Sequence, residues 1–255
     1  MNVIGVSCPD FGAEPFSDMW AEIAKEFSHW EIFSEANDMI QKIDGELLSG
    51  MDSHHMTYSI HSAIADTNLA AVNDRMREAS VMEIMSEMQS AQILGINTIT
   101  VHPGLTSLSV NRIRDRSLSQ AQQSMRMLDK ASYEFGVNIA VENMPQLPFM
   151  LGCTAKELAQ IIDGTDLGVC FDIGHANTTG QIDAMLDTFR GRLMNVHIHD
   201  NLGQKDQHLT IGEGNIDFGH VLARLKDYAH RYIIESKNLS SAIVSKGRLK
   251  QMLGQ

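Results

Sequence analysis

Cysteine is scarce in this sequence, and its scarcity excludes two kinds of protein. The three cysteines, Cys8, Cys153 and Cys170, are odd in number and widely spaced, so they predict no disulfide framework. No two of them have the C-x-x-C spacing of a zinc site built from thiolates. The chemistry of the chain must therefore be sought among its other side chains.

Proline, linker segments and long apolar runs are also lacking. The 5 prolines are dispersed, and no Ser-, Gly- or Pro-rich stretch divides the chain, which predicts a single domain over residues 1–255. No run reaches the roughly 18 apolar residues of a membrane span. The first residues have neither the basic region nor the apolar core of a signal peptide, so a cytoplasmic location is expected.

Basic side chains are outnumbered by acidic ones. The 20 lysines and arginines stand against 32 aspartates and glutamates, which gives a net charge of −12. This charge disfavours non-specific binding to a polyphosphate backbone. It does not exclude nucleic acid, because a local basic patch or bound metal ions reverse the field at one site. A small-molecule partner is expected before nucleic acid, and no membrane is expected.

The sequence does contain eight short apolar runs that alternate with longer amphipathic segments. Several runs are rich in β-branched residues and almost continuously apolar, as in strands buried on both faces. Alternation of strands and helices predicts parallel βαβ units, and a count of eight favours an α/β protein with a single (β/α)8 TIM barrel. The predicted strands cover residues 3–7, 30–34, 57–61, 98–102, 138–142, 168–172, 194–198 and 232–235.

Helix signals separate the predicted strands. Asn73 is a suitable N-cap and Gly95 a suitable stop for a helix over about residues 74–94, where apolar residues recur at helical spacing. A capping box that begins at Thr154 opens another helix. A further helix is predicted over residues 37–48.

Side chains able to bind metal ions stand where the predicted strands end. In a parallel barrel these ends converge on one mouth, where active sites of this architecture form. Imidazoles and carboxylates are ligands for Zn²⁺, Mn²⁺ and similar ions, and burying so many polar groups is costly unless ions or partners compensate. A metal centre is therefore predicted among these side chains. The candidates at or just after strand ends are His61, His102, Glu142, Asp172, His175, His197 and Glu235, and Asp200, Asp206 and His208 follow the seventh strand.

Individual members of this set also have ordinary structural interpretations. Asp172 has the position of a helix N-cap, and Asp206 with His208 has the composition of a polar loop. His197 and His199 share one strand face, so the sequence does not decide which of them binds an ion. The other histidines fall on predicted helices or loops and are interpreted as surface or structural residues: His29, His54, His55, His220 and His230.

Six motifs lie at or after these strand ends. They are Val101-His102-Pro103-Gly104, Glu142-Asn143, Phe171-Asp172-Ile173-Gly174-His175, His197-Ile198-His199-Asp200, Asp206-Gln207-His208 and Gly212-Glu213-Gly214-Asn215. Together they resemble the xylose isomerase-like TIM barrels. This superfamily contains sugar and sugar-phosphate isomerases and epimerases, and also endonuclease IV (AP endonuclease family 2). The resemblance extends from the first predicted strand to Glu235.

The resemblance implies a metal site, and two branches of the superfamily imply different ones. In the isomerase and epimerase branch, one divalent ion is held at positions that match Glu142, Asp172, His197 and Glu235. In the endonuclease IV branch, three zinc ions are held by nine ligands, and matching residues add His61, His102, His175, Asp206 and His208. The expected cofactor is thus Zn²⁺ or Mn²⁺, with one ion and at most three.

Departures from each branch weigh against its reaction. Endonuclease IV follows its first ligand histidine with an aromatic and a bulky aliphatic residue that wedge into DNA. Residues 62–65 here lack the aromatic and have alanine in place of the wedge. The basic residues after His102 form one small cluster, Arg112, Arg114 and Arg116. On the isomerase side, the arginine that some ketose epimerases place after the histidine ligand is not evident.

The leading hypothesis is a metal-dependent isomerase or epimerase of a small sugar or sugar phosphate. Glu142 and Glu235 would transfer a proton through an enediolate, and His175 would orient substrate oxygens. The alternative is an endonuclease IV-like trinuclear zinc phosphodiesterase that acts on abasic DNA. A third hypothesis is a metal-dependent sensor or scaffold without an open coordination position.

Overall fold

Eight parallel strands form a closed barrel in the computed structural model, which describes residues 2–110 and 112–255. Each strand pairs with its neighbour in the sequence, and the first pairs with the last. The predicted (β/α)8 barrel is confirmed. The extent of a single domain over residues 1–255 stays a prediction, and Met1 and Asn111 lie outside the described residues. The strands are β1 (Val3–Ser7), β2 (His29–Phe33), β3 (Thr57–His61), β4 (Thr98–Val101), β5 (Asn138–Glu142), β6 (Gly168–Asp172), β7 (Leu193–Ile198) and β8 (Arg231–Glu235).

Helices follow the strands and cover the outside of the barrel. In the described part of the chain they are α1 (Phe16–Glu26), α2 (Ile40–His54), α3 (Asp74–Leu94), α4 (Arg114–Phe135), α5 (Ala155–Ile161), α6 (Ile173–Thr179), α7 (Ile182–Phe189), α8 (Phe218–Arg224) and α9 (Leu239–Leu253). None of these helices is long and apolar enough to cross a membrane. The predicted caps form: Asn73 accepts a hydrogen bond from the backbone N–H of Arg75, and Gly95 is left-handed with φ of 68°.

The strand bounds agree closely with the expectation. β1, β3, β5 and β6 have the predicted ends, and the other four differ by one residue at one or both ends. The prediction that His29 lies outside the strands is wrong. His29 begins β2 and is buried, with Nδ1 2.8 Å from Thr57 Oγ1 and Nε2 3.0 Å from Ser59 Oγ. These hydroxyl partners on β3 allow an imidazole to lie inside the barrel.

The second helix differs most from its prediction. A helix over residues 37–48 was expected, whereas α2 starts at Ile40 and continues for 15 residues. Ser34 Oγ accepts a hydrogen bond from the Ile40 N–H, which satisfies a free donor of the first turn. Gly50 lies inside the helix because its missing side chain leaves room for the Trp20 ring. Close packing therefore overrides the low helix propensity of glycine.

Side chains along the strands alternate between the helices and the barrel interior. The apolar set, which includes Ile32 and Ile60, belongs to the main hydrophobic core. The alternate positions Glu31, Ser59 and Asn195 are inside the barrel, where they hydrogen-bond to one another. The interior just below the carboxyl ends of the strands is therefore polar.

Candidate metal centre and active site

The barrel mouth brings most of the predicted ligands into two adjoining clusters, and His102 belongs to neither. In each cluster, every residue offers a ligand atom within 4.8 Å of the others. The inner cluster is His61, Glu142, His197 and Glu235. The outer cluster is His175, His199, Asp206 and His208. Asp172 lies between the two clusters, because its carboxylate is close to residues of both. It groups with Glu142 and Glu235 of the inner cluster and with His175 and His199 of the outer cluster.

Glu142 ends β5 and occupies the centre of the inner cluster. Its carboxylate is 1% exposed, and four imidazoles surround it. The Nε2 atoms of His61 and His102 lie 3.2 and 3.1 Å from Oε2. The Nδ1 atoms of His197 and His175 lie 3.2 and 3.4 Å from Oε1. Burial alone would raise the pKa of Glu142, but these imidazoles outweigh burial and hold its pKa well below the ordinary value. Glu142 is therefore a carboxylate at neutral pH.

Glu235 ends β8 and approaches the same imidazole. Its Oε1 lies 3.1 Å from His197 Nδ1, and its Oε2 lies 3.8 Å from His208 Nδ1 in the outer cluster. Burial would raise the pKa of Glu235, but the nearby His197 lowers it below the ordinary value. Two anionic carboxylates, Glu142 and Glu235, thus meet at one imidazole nitrogen.

Asp172 is the N-cap of α6, and its second carboxylate oxygen is not used in the cap. Its Oδ1 accepts the backbone N–H of His175 and so caps α6. Its Oδ2 is buried and has no hydrogen-bond partner among the described residues. The side chain of Asn143 fixes the backbone here, because it accepts the Asp172 N–H at 2.8 Å and donates to the Asp172 carbonyl at 2.9 Å. Asp172 is an N-cap with one oxygen left for a further ligand.

The outer cluster is organised around Asp206 and is partly open to solvent. Asp206 Oδ2 lies 3.2 Å from His175 Nε2 and 3.1 Å from His208 Nε2. The side chains of Asp206 and His208 are 25% and 27% exposed. The His208 ring stacks on that of His199 with centroids 4.1 Å apart. Solvent can therefore reach this side of the site.

His197 has protein partners at both ring nitrogens. Its Nε2 lies 2.6 Å from Glu31 Oε1 inside the barrel. Its Nδ1 faces Glu142 and Glu235. The ring is fully buried, and it is held in place by carboxylates on both sides.

His199, two residues later on the same face, lacks such partners. It is 1% exposed, and neither ring nitrogen has a hydrogen-bond partner among the described residues. Its Nε2 lies 3.3 Å from Asp172 Oδ1 and 3.4 Å from Asp206 Oδ1, without hydrogen-bond geometry. A buried unsatisfied polar group costs about 1–3 kcal/mol. Ligand atoms that face a common cation lie close together without bonding to each other, so His199 and Asp172 fit a divalent ion.

Gly174 packs against the His199 ring. A Cβ added at Gly174 would meet the His199 ring, so this position of the Asp-Ile-Gly-His motif must stay small. Gly212 and Gly214 lie in the loop that follows His208, and both backbone N–H groups donate to Asp200 Oδ2 at 2.9 Å. Asp200 thereby holds a loop and belongs to neither cluster.

Sequence reasoning missed Glu31 and Asn195. Both are buried below the inner cluster, and Asn195 Nδ2 donates to Glu31 Oε2 at 2.7 Å. A weak signal was present, because Glu31 stands between the apolar residues Trp30 and Ile32 of a predicted buried strand. A charged residue at such a position requires a buried partner.

Two charged residues near the mouth, Arg114 and Glu35, hold loops in place. Arg114 begins α4, and its guanidinium binds Glu157 at 2.7 to 3.0 Å and the Met150 carbonyl at 2.9 Å. It braces a neighbouring loop. The loop after His61 is held by Glu35, whose Oε1 accepts the N–H of Ala65 at 2.7 Å. A carboxylate at this point repels phosphate.

The closed barrel with a His-, Asp- and Glu-lined mouth defines a TIM barrel with a candidate metal centre. A family model described as xylose isomerase-like TIM barrel matches residues 22–251. The chain belongs to this family, as the sequence motifs predicted.

Relatives from both branches of the family resemble this chain. The uncharacterized protein MJ1311 of Methanocaldococcus jannaschii is 34% identical over 263 residues, which cover 98% of this chain and 88% of that protein. The crystal structure of a D-tagatose 3-epimerase-like protein has a TM-score of 0.93 and 32% identity, and the match covers 99% of this chain and 97% of that one. Endonuclease IV from Thermus thermophilus has a TM-score of 0.72 and 20% identity, with 99% of each chain covered, which shows a shared fold.

Proposed function

We propose that this protein is a divalent-metal-dependent isomerase or epimerase of a small sugar or sugar phosphate. The observation that carries the proposal is the meeting of Glu142 and Glu235 at one imidazole nitrogen. Beside them lie buried atoms of Asp172 and His199 without hydrogen-bond partners among the described residues. The likeness to a D-tagatose 3-epimerase-like protein supports the same class of reaction.

We infer that Glu142, Asp172 and Glu235 hold the ion together with one imidazole. The resemblance matched this imidazole to His197, but we propose His199. Both nitrogens of His197 have carboxylate partners, whereas neither nitrogen of His199 has a hydrogen-bond partner among the described residues. When bound, Zn²⁺ or Mn²⁺ supplies positive charge that stabilises negative charge developing on substrate oxygens.

The two glutamates carry out the proton transfer. One carboxylate removes the proton from the carbon beside the substrate carbonyl, which leaves an enediolate. The other takes a proton from solvent and gives it to the opposite face of the carbon or to the neighbouring carbon, while the first carboxylate releases its proton to solvent. The anionic state of Glu142 and Glu235 suits either for the first step.

His175 and His102 orient substrate oxygens in this proposal. His175 Nδ1 lies 2.9 Å from the Asn143 carbonyl and its Nε2 contacts Asp206, so the ring direction is fixed. His102 contacts Glu142 through Nε2 and is 18% exposed. Both rings are thus close to the carboxylate that would act on the substrate.

Deuterium exchange tests the proposal without knowledge of the product. The Mn²⁺-loaded protein is incubated in D₂O with a panel of ketopentoses, ketohexoses and their phosphates, and ¹H NMR follows the hydrogens beside each carbonyl. Exchange is expected with at least one sugar, and it should stop on chelation and return with Mn²⁺. The exposed Glu213→Gln serves as a matched control that should exchange normally. A fully metallated protein that exchanges none of the panel contradicts the proposal.

The second candidate is an endonuclease IV-like phosphodiesterase with three zinc ions. The outer cluster favours it, because it supplies the extra imidazole and carboxylate ligands that a trinuclear site needs. An incision assay on a duplex with one abasic site tests it directly. Cleavage together with three zinc ions per chain would support this reaction, and no cleavage by fully metallated protein would reject it.

A further inference from the structure

Directly below the inner cluster, the barrel interior contains polar side chains. At such positions (β/α)8 barrels usually pack branched aliphatic residues. Glu31, Ser59, Thr100 and Asn195 come from four different strands and are all completely buried. Burying such groups is unfavourable unless each finds a partner. Their presence requires a reason beyond filling the barrel.

Glu31 is the charged member of this polar layer, and both of its oxygens are engaged. Oε1 lies 2.6 Å from His197 Nε2. Oε2 accepts hydrogen bonds from Ser59 Oγ at 2.6 Å and from Asn195 Nδ2 at 2.7 Å. Burial alone would raise the pKa of Glu31, but the charge of His197 and its hydrogen bond lower it. Glu31 is thus a buried carboxylate that faces one imidazole.

His197 connects this layer to the proposed reaction. Its Nε2 faces Glu31, while its Nδ1 lies 3.2 Å from Glu142 Oε1 and 3.1 Å from Glu235 Oε1. An imidazole is a rigid plane, so a partner that fixes one nitrogen also fixes the direction of the other. Carboxylates that orient histidines tune metal sites in many proteins. There the histidine itself binds the ion, whereas His197 would act through the carboxylates of Glu142 and Glu235.

We propose that Glu31 is a positioning residue that acts through His197. It holds the ring so that Nδ1 sets the places of Glu142 and Glu235 around the ion. This inference rests on the proposed function, since it takes those two carboxylates as metal ligands, but it does not depend on the identity of the substrate.

Binding of Co²⁺ to the full chain tests this role. Glu31→Gln preserves the shape of the side chain and removes its charge. We expect a loss of Co²⁺ affinity of about 10–100-fold, measured against a chromophoric chelator, and an altered Co²⁺ absorption spectrum. Glu31→Asp keeps the charge and should recover part of both.

His29→Gln is the matched control. His29 is buried in the same interior and contacts Ser59, but the structure shows no contact between its ring and the inner cluster among the described residues. Its variant should bind Co²⁺ with the affinity and spectrum of the wild type. Wild-type binding by Glu31→Gln would overturn the inference, and so would equal losses in Glu31→Gln and His29→Gln.

A measurement on the wild type covers the case in which the Glu31 variants do not fold. Nitrogen-15 NMR of the metal-free chain should show His197 protonated at Nε2, with the signal assigned by its loss in His197→Asn. An unprotonated Nε2 would overturn the inference. A wild-type chain that binds no Co²⁺ would contradict the metal-dependent function as well, whereas normal Co²⁺ binding by Glu31→Gln would contradict the positioning role alone.

Discussion

The inner and outer clusters adjoin, and each contains a fully buried histidine, but these two histidines differ in their hydrogen-bond partners. In the inner cluster, His197 has carboxylate partners at both nitrogens. In the outer cluster, His199 has a partner at neither, although it is equally buried. We infer that a buried polar group with protein partners holds other residues of the site in position. A buried group without them is the better candidate to bind what the protein itself does not supply.

Substitution of either glutamate beside His197 is expected to have the largest effect on turnover. Glu142→Gln and Glu235→Gln should each lower turnover by about 10²–10⁴-fold, the usual contribution of a general acid or base. Exchange of substrate hydrogen with D₂O measures this loss. Near-normal exchange in both variants would rule out the two-carboxylate mechanism.

The next effect distinguishes His197 on β7 from His199, which follows the strand. His199→Asn should weaken Mn²⁺ binding more than His197→Asn, because the first removes a ligand and the second an indirect contact. An indirect contact is typically worth about 10–100-fold in affinity. Isothermal titration of both variants gives the order. If His197→Asn loses more, the ion uses His197, as the resemblance implied.

The number of metal ions per chain tests whether the outer cluster, which is partly open to solvent, binds an ion. One ion per chain is expected, and His208→Asn should retain it, because His208 is the most exposed member of the outer cluster that the structure describes. Elemental analysis of purified wild type and variant measures the ratio. Three ions in the wild type, with fewer in the variant, would favour the phosphodiesterase.

The smallest expected effect is on stability and concerns Glu87, a buried carboxyl group that can become neutral by protonation. It lies on α3 below the loop after His61, where its Oε1 accepts the Ala63 N–H and its Oε2 has no partner among the described residues. Burial raises its pKa from 4.5 to about 8. Between these values the unfolded chain has lost the proton that the folded chain retains, so stability falls as pH rises.

Glu87→Gln removes this pH dependence because the amide stays neutral. Wild type loses stability between pH 5 and pH 8, and the variant should not. The difference in free energy of unfolding between Glu87→Gln and wild type should therefore grow by at least about 1 kcal/mol over this range, since one pKa unit is worth about 1.4 kcal/mol. Urea unfolding at both pH values measures the difference, and the exposed Glu78→Gln is the control. Parallel pH dependence in Glu87→Gln and wild type would contradict the assignment.

The sequence was sufficient for most of the barrel because the strand signals are local. β3, β5 and β6 each end at a His, Glu or Asp that follows an apolar run, and their bounds match the expectation. The end of the α2 helix was harder to predict, because Gly50 has low helix propensity and packs closely against Trp20. That contact joins two helices and leaves no local pattern.

The site was predictable as a set of residues and less so as a set of roles. His197 and His199 share one strand face, so periodicity could not separate them. What separates them is Glu31, which lies 166 residues from His197 in the chain. Hydrogen-bond partners across a barrel are tertiary facts that spacing in one sequence does not reveal.

The distance along the chain between Glu31 and its partners also bears on the order of folding. Glu31 is on β2 and Asn195 and His197 are on β7, two strands that are not neighbours in the sheet. Their contact forms only when both halves of the barrel have come together, and contacts of such long range form slowly. We therefore expect metal binding to return late in refolding, after the helices and the pairing of adjacent strands.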